Sequence, residues 1–340
     1  MPNNKPLVTI AMMTYNQEKY VRDSVRGMLS QTYEPLEIII SDDCSTDATW
    51  DIVNDEVSKY KRIGGAHTNI ILNRNEKNLG IALHSQKVST LRHGVITVGN
   101  GGDDISLPNR VERIVGVWTS FGGDVSLIIH SATMIDVDGR VLGLLDQRSV
   151  EHPLGAVFTY NSEKMSNAGF GNIVELGAYE DQVLARRAQM IGKVVSIDDK
   201  LLYYRVGSGV SSILGKRRNV EVRGAKARIA SCRQTQRDIV SVRGKVPEEI
   251  LNEISASNER WIEFSQARLD LFSGKTFKER LQGFKRCCKG KRISIGTVLC
   301  AIYILPEWLS DPLIDTYTII KNRIKVLKNG MMKIHGAESI

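Results

Sequence analysis

Four short runs of mainly apolar residues, each followed by a polar segment, organise the first third of the chain. They are Leu7–Met13, Leu36–Ile40, Asn69–Leu72 and Val95–Val98. Their length and β-branched content predict buried strands. Between them, helical composition occurs at Glu18–Ser30 (with Asn16 as a candidate cap), Ala48–Tyr60 and Ala82–Arg92. This alternation predicts an α/β fold, a mostly parallel sheet with helices on both of its faces.

The pattern continues with elements of both kinds before it changes. Val125–His130 and Thr133–Asp136 are predicted strands, and Asp138-Gly139 before Val141 is a hairpin turn. Further on, Glu180–Met190 is predicted as a helix and Leu201–Tyr204 as a strand. After Ser212 the chain becomes largely helical and basic, so we predict a domain at 1–212 and a mostly helical region at 213–340.

Three polar loops directly follow predicted parallel strands. They are Thr14-Tyr15-Asn16, Asp42-Asp43 and Asp103-Asp104. Parallel sheets bind ligands at the carboxyl ends of their strands. We therefore expect the three loops to converge on one crevice.

Asp103 and Asp104 are the candidates for a metal site. Adjacent carboxylates at a strand end repel each other unless a cation neutralises them, and Mg²⁺ or Mn²⁺ prefers such oxygen ligands. The preceding glycines, Gly102 among them, would let a phosphate approach the backbone. The alternative is a simple turn in which Asp104 caps a helix that begins near Pro108.

The other candidates also have structural alternatives. Asp42 and Asp43 precede a helix that Ser45 and Asp47 can cap, which leaves a carboxylate to accept hydrogen bonds from a ligand. Tyr15 either stacks on a base or packs at the edge of the sheet.

Glu180 and Asp181 open a helix, where the helix dipole favours acids, but either one is also a candidate general base. Arg205 either is solvated or holds a phosphate.

Composition and charge narrow the class of protein. The 340 residues include five cysteines without CxxC spacing, which favours a reducing compartment over a disulfide framework. The first residues lack the features of a signal peptide, and no stretch of about 18 residues is apolar throughout, so we predict no transmembrane helix.

The net charge of +8 comes largely from the C-terminal half. Basic residues cluster between 275 and 292, directly before the apolar run Ile293–Leu305 and Trp308. This predicts either an interfacial segment on anionic lipid or a core helix of a small domain with a solvated basic flank. A nucleic-acid-binding protein is disfavoured, because aromatic residues are not interleaved and no recognised motif occurs.

Several motifs together resemble the family 2 glycosyltransferases, which have the GT-A fold. The matching segments lie between residues 7 and 212: VTIAMMTYNQEKYVRDSVRGMLSQTYEPLEIIISDDCSTDAT, NEKNLGIA, GGDDISLPNRVERI, GAVFTYN, YEDQVLARRAQMIGKV and LLYYRVGSGVSS. A nucleotidyltransferase of similar fold would carry a glycine-rich basic loop after the first strand, and Thr14–Glu18 is not one.

The resemblance implies a role for each matching residue. Tyr15 would stack on the nucleobase, Asp43 would hydrogen-bond it with Asp42 alongside, and Asp103 would bind the metal that bridges the donor's diphosphate. Asp104 would support the metal shell, and Asp181 would be the catalytic base. Arg205 and Ser211 would lie on a mobile loop that closes over the donor. The remaining donor-binding candidates are Thr14, Asn16, Asn78 and Gly102.

The implied activity is an inverting, Mg²⁺- or Mn²⁺-dependent transfer of a sugar from a nucleotide-diphosphate sugar, with UDP or dTDP favoured. The acceptor would be a glycan or a lipid-linked glycan in surface polysaccharide (O-antigen-like) synthesis, at the cytoplasmic face of the membrane, with the protein peripherally attached. One departure is Gly101, where the family usually has an acid. This keeps a non-catalytic scaffold as the alternative, in which Asn100 and Asp104 fail to compensate.

Overall fold

A computed structural model describes residues 5–67, 69–146, 154–175, 177–208, 217–289 and 301–305. Its strands are β1 Val8–Thr14, β2 Leu36–Asp42, β3 Ile70–Arg74, β4 Ile96–Gly101, β5 Ile105–Ser106, β6 Val125–Ile135, β7 Val141–Leu145, β8 Phe158–Asn161 and β9 Lys193–Arg205. Its helices are α1 Val21–Leu29, α2 Thr49–Arg62, α3 Ile81–Leu91, α4 Arg110–Ser120, α5 Ser162–Asn167, α6 Glu180–Ile191, α7 Arg217–Val242, α8 Glu248–Ser273 and α9 Phe277–Cys288.

One mixed sheet runs in the order β3-β2-β1-β4-β8-β6-β9-β5, and β7 pairs with β6. The first four strands are parallel, as predicted. Alternate side chains of β1 enter different cores: Ile10 packs with Val25 of α1, whereas Ala11 packs with Val88 of α3. Helices therefore cover both faces of this half of the sheet, which explains its continuous apolar runs.

The other half of the sheet, in which β6 pairs with β9 in parallel and with β7 and β8 antiparallel, corrects two strand predictions. β6 is a single strand from Val125 to Ile135, where we predicted two. β9 begins at Lys193, well before the predicted Leu201. β6 and β9 pair along their length with register shifts near Ser131. The polar residues that interrupt the apolar pattern therefore continue the ladder, because backbone pairing does not require apolar side chains.

Two predicted helix caps are wrong. α1 begins at Val21, and Asn16 instead adopts a left-handed conformation in which its Oδ1 accepts a hydrogen bond from the backbone N–H of Thr46 at 2.9 Å. Asp104 does not cap α4, because the strand β5 intervenes and α4 begins only at Arg110. Both polar side chains bind distant segments rather than the adjacent helix.

The chain divides into two compact units. The first comprises residues 1–213 and 230–259, and the second comprises 214–229 and 260–340. The first unit holds the sheet. In the described part of the second, helical segments surround a core that includes Leu271, Phe272 and Tyr303.

The second unit includes the predicted apolar run that precedes Pro306. Tyr303 is buried, and the partly buried Ile302 and Ile304 pack against the same core. Residues 293–300 and Trp308 lie outside the described residues. Among the described helices, none combines the length and apolar character that a membrane span requires.

Candidate active site

The carboxyl ends of β1, β2 and β4 bring the three predicted loops to one edge of the sheet. Register pairs Thr14 of β1 with Asp42 of β2, and Met13 of β1 with Gly101 of β4. The backbone N–H of Asp43 then donates to the carbonyl of Thr14 at 2.9 Å. The expected convergence of the loops is confirmed, and it follows from the parallel register alone.

Asp42 is fully buried and already has protein partners. Its carboxylate accepts hydrogen bonds from the backbone N–H of Ser45 at 2.9 Å and from the Ser45 hydroxyl, and Arg74 Nε lies 3.4 Å from its Oδ2. These contacts hold the turn after β2. Asp42 therefore shapes the loop, and direct contact with a nucleotide stays a prediction.

Asp43 is also buried and organises the loop before α3. Its Oδ1 accepts from Asn75 Nδ2 at 2.8 Å and from the N–H of Leu79 at 2.9 Å, and its Oδ2 accepts from the N–H of Gly80 at 2.9 Å. Asn78 is exposed, and its side-chain oxygen also accepts from Gly80 at 3.0 Å. A ligand that binds Asp43 must share it with this loop.

Asp103 and Asp104 follow β4 and are both buried. Asp103 Oδ2 accepts from the Ser208 hydroxyl at 2.7 Å, and Asp104 Oδ1 accepts from the backbone N–H of Arg205 at 2.9 Å. The end of β9 thus closes over the carboxylate pair. Burial, and then the charge of Asp103, raises the pKa of Asp104 to about 8.

Gly101 faces this pair directly. A Cβ added at this position would lie 2.8 Å from Asp104 Oδ2 and 2.9 Å from Asp103 Oδ1. The space in which an acidic side chain would begin is therefore bordered by both carboxylates. Asn100 does not compensate for the missing acid, because its amide points away into a buried network with Ser24.

The structure explains the glycine at position 102 differently from the predicted approach of a phosphate. A Cβ there would lie 2.3 Å from Gln17 Oε1 and 2.4 Å from Thr14 Oγ1. The Thr14 hydroxyl itself donates to Gln17 at 2.8 Å. The protein's own side chains, rather than the approach of a phosphate, exclude a side chain at residue 102.

A buried arginine lies behind the carboxylates. Arg110 donates to Ser106 Oγ at 2.8 Å and to Asn100 Oδ1 at 3.1 Å, as well as to two backbone carbonyls. Burial lowers its pKa to about 9, and the charge of Asp104 opposes that shift. The positive charge of Arg110 acts on Asp104 through space. It therefore neutralises the negative charge of Asp103 and Asp104 only in part.

Arg205 is not on a loop. It is the last residue of β9 and is buried, with its guanidinium 4.8 Å from the Tyr20 ring centroid. Nε donates to the carbonyl of Asp103 at 3.1 Å, and Nη1 donates to that of Asp136 at 3.1 Å. These contacts correct the expected mobile position: Arg205 fixes the backbone beside Asp103. Ser211 lies outside the described residues.

Asp181 reaches the same site from α6. Gly155 lies against it, since a Cβ at Gly155 would be only 3.4 Å from the Asp181 Cβ. A Cβ at Gly99 of β4 would lie 3.0 Å from the carbonyl oxygen of Gly155, so Gly155 lies between β4 and the start of α6. Burial, and then the charges of Asp104, Asp103 and Asp181, raises the pKa of Tyr204 to about 12.

Glu180 precedes Asp181 at the start of α6. Its Oε1 accepts from the Ser85 hydroxyl at 3.0 Å. Burial, and then the charge of Asp181, raises the pKa of Glu180 to about 7. Glu180 and Asp181 thus form one acidic region at the start of α6.

Tyr15 is half-buried just beyond β1. Its stacking on a base stays a prediction, as do the ligand contacts of Asn16 and Asn78. Both amides are already used in loop contacts.

Sequence reasoning missed three residues with clear roles. Ser208 binds Asp103, Asn75 binds Asp43, and Arg110 lies behind Asp104. The first two contacts join residues 105 and 32 positions apart. The polar residues in NRNEKNLG and in RVGSG were the available signal, but neither segment indicates its partner.

The described residues contain no group of three or more acidic, histidine or cysteine side chains arranged to hold a metal. Asp103 and Asp104 nevertheless suit a hard divalent cation. They are two buried carboxylates around one point, and the raised pKa of Asp104 shows that their negative charge is not balanced.

Comparison with known proteins gives a family match. Residues 9–147 match the profile of glycosyl transferase family 2. An uncharacterised glycosyltransferase of Methanocaldococcus jannaschii, MJ1057, is 30% identical over 141 residues, which are 41% of this chain and 46% of that protein. TuaG of Bacillus subtilis, a putative teichuronic acid biosynthesis glycosyltransferase, is 33% identical over 33% of this chain and 42% of its own length. The chain thus spans less than half the length of either relative.

Solved structures resemble the whole fold. Staphylococcus aureus TarS 1–349 in complex with UDP-GlcNAc has a TM-score of 0.58 at 18% identity and covers 89% of this chain and 82% of its own. The mannosyltransferase PcManGT of Pyrobaculum calidifontis, in complex with GDP-Man and Mn²⁺, has a TM-score of 0.55 at 16% identity, over 89% of this chain and 86% of its own. These likenesses confirm the predicted GT-A fold with its helical C-terminal region.

Proposed function

We propose that the protein transfers a sugar from a nucleotide-diphosphate sugar to an acceptor hydroxyl, with inversion. The match of residues 9–147 to glycosyl transferase family 2 is the starting point of this proposal. The observation that carries the proposal is that Asp103 and Asp104 lie just after β4, whereas Asp181 lies beside Gly155, which packs against the same strand. A cation-binding pair beside a separate base is what direct displacement at an anomeric carbon requires.

The donor end of the proposed site runs from Tyr15 and Asp43 to Asp103. Mg²⁺ or Mn²⁺ bound with the donor's diphosphate would stabilise the charge on the leaving group. Asp103 and Asp104 would hold the ion, with diphosphate oxygens completing its ligands. PcManGT in complex with Mn²⁺ and TarS in complex with UDP-GlcNAc support a metal and a nucleotide-sugar donor. UDP or dTDP is our preferred nucleotide.

The acceptor end of the site is at Asp181. Its carboxylate would take the proton of the acceptor hydroxyl as that oxygen forms the new glycosidic bond. The bond between the anomeric carbon and the diphosphate breaks in the same step, and its electron pair leaves with the nucleotide. Gly155 gives the backbone space in which Asp181 lies close to β4.

Surface polysaccharide synthesis is the proposed setting, with a glycan or lipid-linked glycan as acceptor. TuaG supports the first part, through its assignment to teichuronic acid biosynthesis. Lys278, Lys285 and Lys289 of the C-terminal unit are exposed, at spacings that place them along one side of α9. They support peripheral attachment to an anionic membrane surface at its cytoplasmic face.

Two arginines of the basic cluster at 275–292 are already bound within the protein. Arg280 donates to the carbonyls of Ile304 at 2.8 Å and Gly274 at 2.9 Å, and Arg286 pairs with Asp270. Within the described part of this cluster, the exposed lysines therefore form the proposed membrane surface.

The test is a transfer assay with a panel of UDP-, dTDP- and GDP-sugars, with and without Mn²⁺, in which release of the nucleotide and formation of product are both measured. We expect one nucleotide class to support metal-dependent turnover. Failure of every donor with a folded, nucleotide-binding protein would favour the scaffold alternative.

Asp181→Asn separates chemistry from donor binding. Loss of the base should reduce kcat by about 10²–10⁴-fold, while the affinity for the nucleotide remains within about twofold. Product formation and calorimetric binding check the two halves. Near wild-type turnover would remove Asp181 from the proposed mechanism.

A further inference from the structure

Glu180 has no role in the function proposed above, yet it is held more firmly than a solvated acid at a helix start. Its Oε1 accepts a hydrogen bond from Ser85 on α3 at 3.0 Å, a contact between segments 95 residues apart. It lies at the first position of α6, next to Asp181. The first turn of a helix frays unless its groups find partners. The Ser85 contact gives this turn an external anchor.

Gly155 shows that both acids face the same small space. A Cβ at residue 155 would lie 3.4 Å from the Asp181 Cβ and 3.8 Å from Glu180 Oε2. Both side chains therefore border the position that a side chain at residue 155 would occupy. Any rotation of the first turn of α6 moves Glu180 and Asp181 together.

Helix α3 is itself fixed on both sides of Ser85. At its start, the N–H of Gly80 donates to Asp43 Oδ2 at 2.9 Å. One residue after Ser85, the Gln86 amide donates to the carbonyl of Ile173 at 3.1 Å and accepts from its N–H at 3.2 Å. Ser85 is thus a donor on a rigid support rather than on a free surface helix.

We propose that Glu180 is a positioning residue for Asp181 and that Ser85 is the donor that fixes it. The proposal rests on the function proposed above, in which Asp181 is the base. Ser85 sets the position of the first turn of α6 through Glu180. A fixed first turn holds the Asp181 carboxylate where it can take the acceptor's proton.

The test compares Ser85→Ala with Ser89→Ala. Ser89 is a matched control on α3, since its hydroxyl only donates to the carbonyl of Gln86 within the same helix. Loss of a hydrogen bond to a charged group should lower kcat by about tenfold in Ser85→Ala, with the donor KM and the affinity for the nucleotide unchanged. Ser85→Thr, which keeps the hydroxyl, should restore most of kcat.

Glu180→Gln supplies a readout that loss of packing alone does not move. Ionisation of Glu180, whose pKa is raised to about 7, should give the wild-type kcat profile a step near that pH, which Glu180→Gln should lose while its plateau falls. Thermal melting of each variant checks that the fold is retained.

The outcomes separate this proposal from the proposed function. Equal kcat in Ser85→Ala and Ser89→Ala, or a step near pH 7 that persists in Glu180→Gln, overturns the role of Glu180 while the transfer reaction stands. Absence of transfer by the wild type with every donor overturns the proposed function and this proposal with it.

Discussion

Two Asp-Asp pairs follow two parallel strands of the same mixed sheet, and they differ in how many hydrogen-bond donors the protein provides to them. The pair at 42–43 receives donors from Ser45, Arg74 and the loop at 75–80. Among the described residues, the pair at 103–104 has one side-chain donor, from Ser208, and one backbone donor, from Arg205. The same dipeptide at equivalent strand ends is therefore a structural anchor in one place and an unbalanced charge in the other.

The contrast between the two pairs indicates which of them needs a ligand. A buried carboxylate with several donors is stable without further partners. A buried pair with few donors keeps a raised proton affinity, and the pKa of Asp104, raised to about 8, is the sign of it. The predictions below test whether the first pair supports the fold and the second supports chemistry.

The largest expected effect is on catalysis at the second pair. Asp103→Asn removes a charged ligand while it keeps the volume of the side chain and a hydrogen bond to Ser208. We expect transfer to fall by about 10²–10³-fold, with a melting temperature within a few degrees of wild type. Steady-state kinetics and thermal melting check both. Activity close to wild type would place the metal elsewhere.

The next effect is on stability at the first pair. Asp42→Ala leaves the N–H of Ser45 and the Arg74 guanidinium without their acceptor. The free energy of unfolding should fall by about 2–4 kcal/mol. Urea unfolding measures it, and the folded fraction should still require metal for transfer. A variant as stable as wild type would mean that Asp42 does not support the loop.

The last expected effect is a pH dependence of stability at Asp104, which is smaller per pH unit than the loss expected at Asp42. The folded pKa of Asp104 is raised from 3.8 to about 8, so between these values the folded state keeps a proton that the unfolded state releases. The free energy of unfolding therefore falls as pH rises through this window, by at most about 1.4 kcal/mol per pH unit.

Asp104→Asn lacks this proton and should gain stability relative to wild type as pH rises from about 5 to about 8. Urea unfolding at several pH values, without added metal, gives the difference. Curves that run parallel across this range would contradict the raised pKa.

The sequence predicts the parallel half of this fold well, because four apolar runs separated by helical segments leave few alternatives. It predicts less of the other half, where parallel and antiparallel pairs are mixed and β6 and β9 continue through polar residues such as Ser131. It also predicts which acids lie at strand ends. It cannot predict that Asp104 binds the backbone of Arg205 rather than capping α4, since that contact joins residues 101 positions apart.

The family resemblance assigns roles to residues, but it does not show which of their hydrogen-bonding groups are already used within the protein. Arg205 was expected on a loop over the donor, whereas its guanidinium is used within the fold. Gly101 was expected to weaken a metal site, and the structure shows Asp103 and Asp104 on either side of that position. Long-range contacts of this kind depend on packing, which no local pattern encodes.

The most direct test of the account is a thermal-shift titration of the wild type and Asp103→Asn with UDP, dTDP, GDP, CDP and ADP, each with and without Mn²⁺. A ligand that binds only the folded state raises its melting temperature. The account predicts a metal-dependent rise with one nucleotide in the wild type, and loss of the metal dependence in Asp103→Asn. No rise with any nucleotide, or an equal metal-dependent rise in both proteins, would contradict a nucleotide–metal site at Asp103 and Asp104.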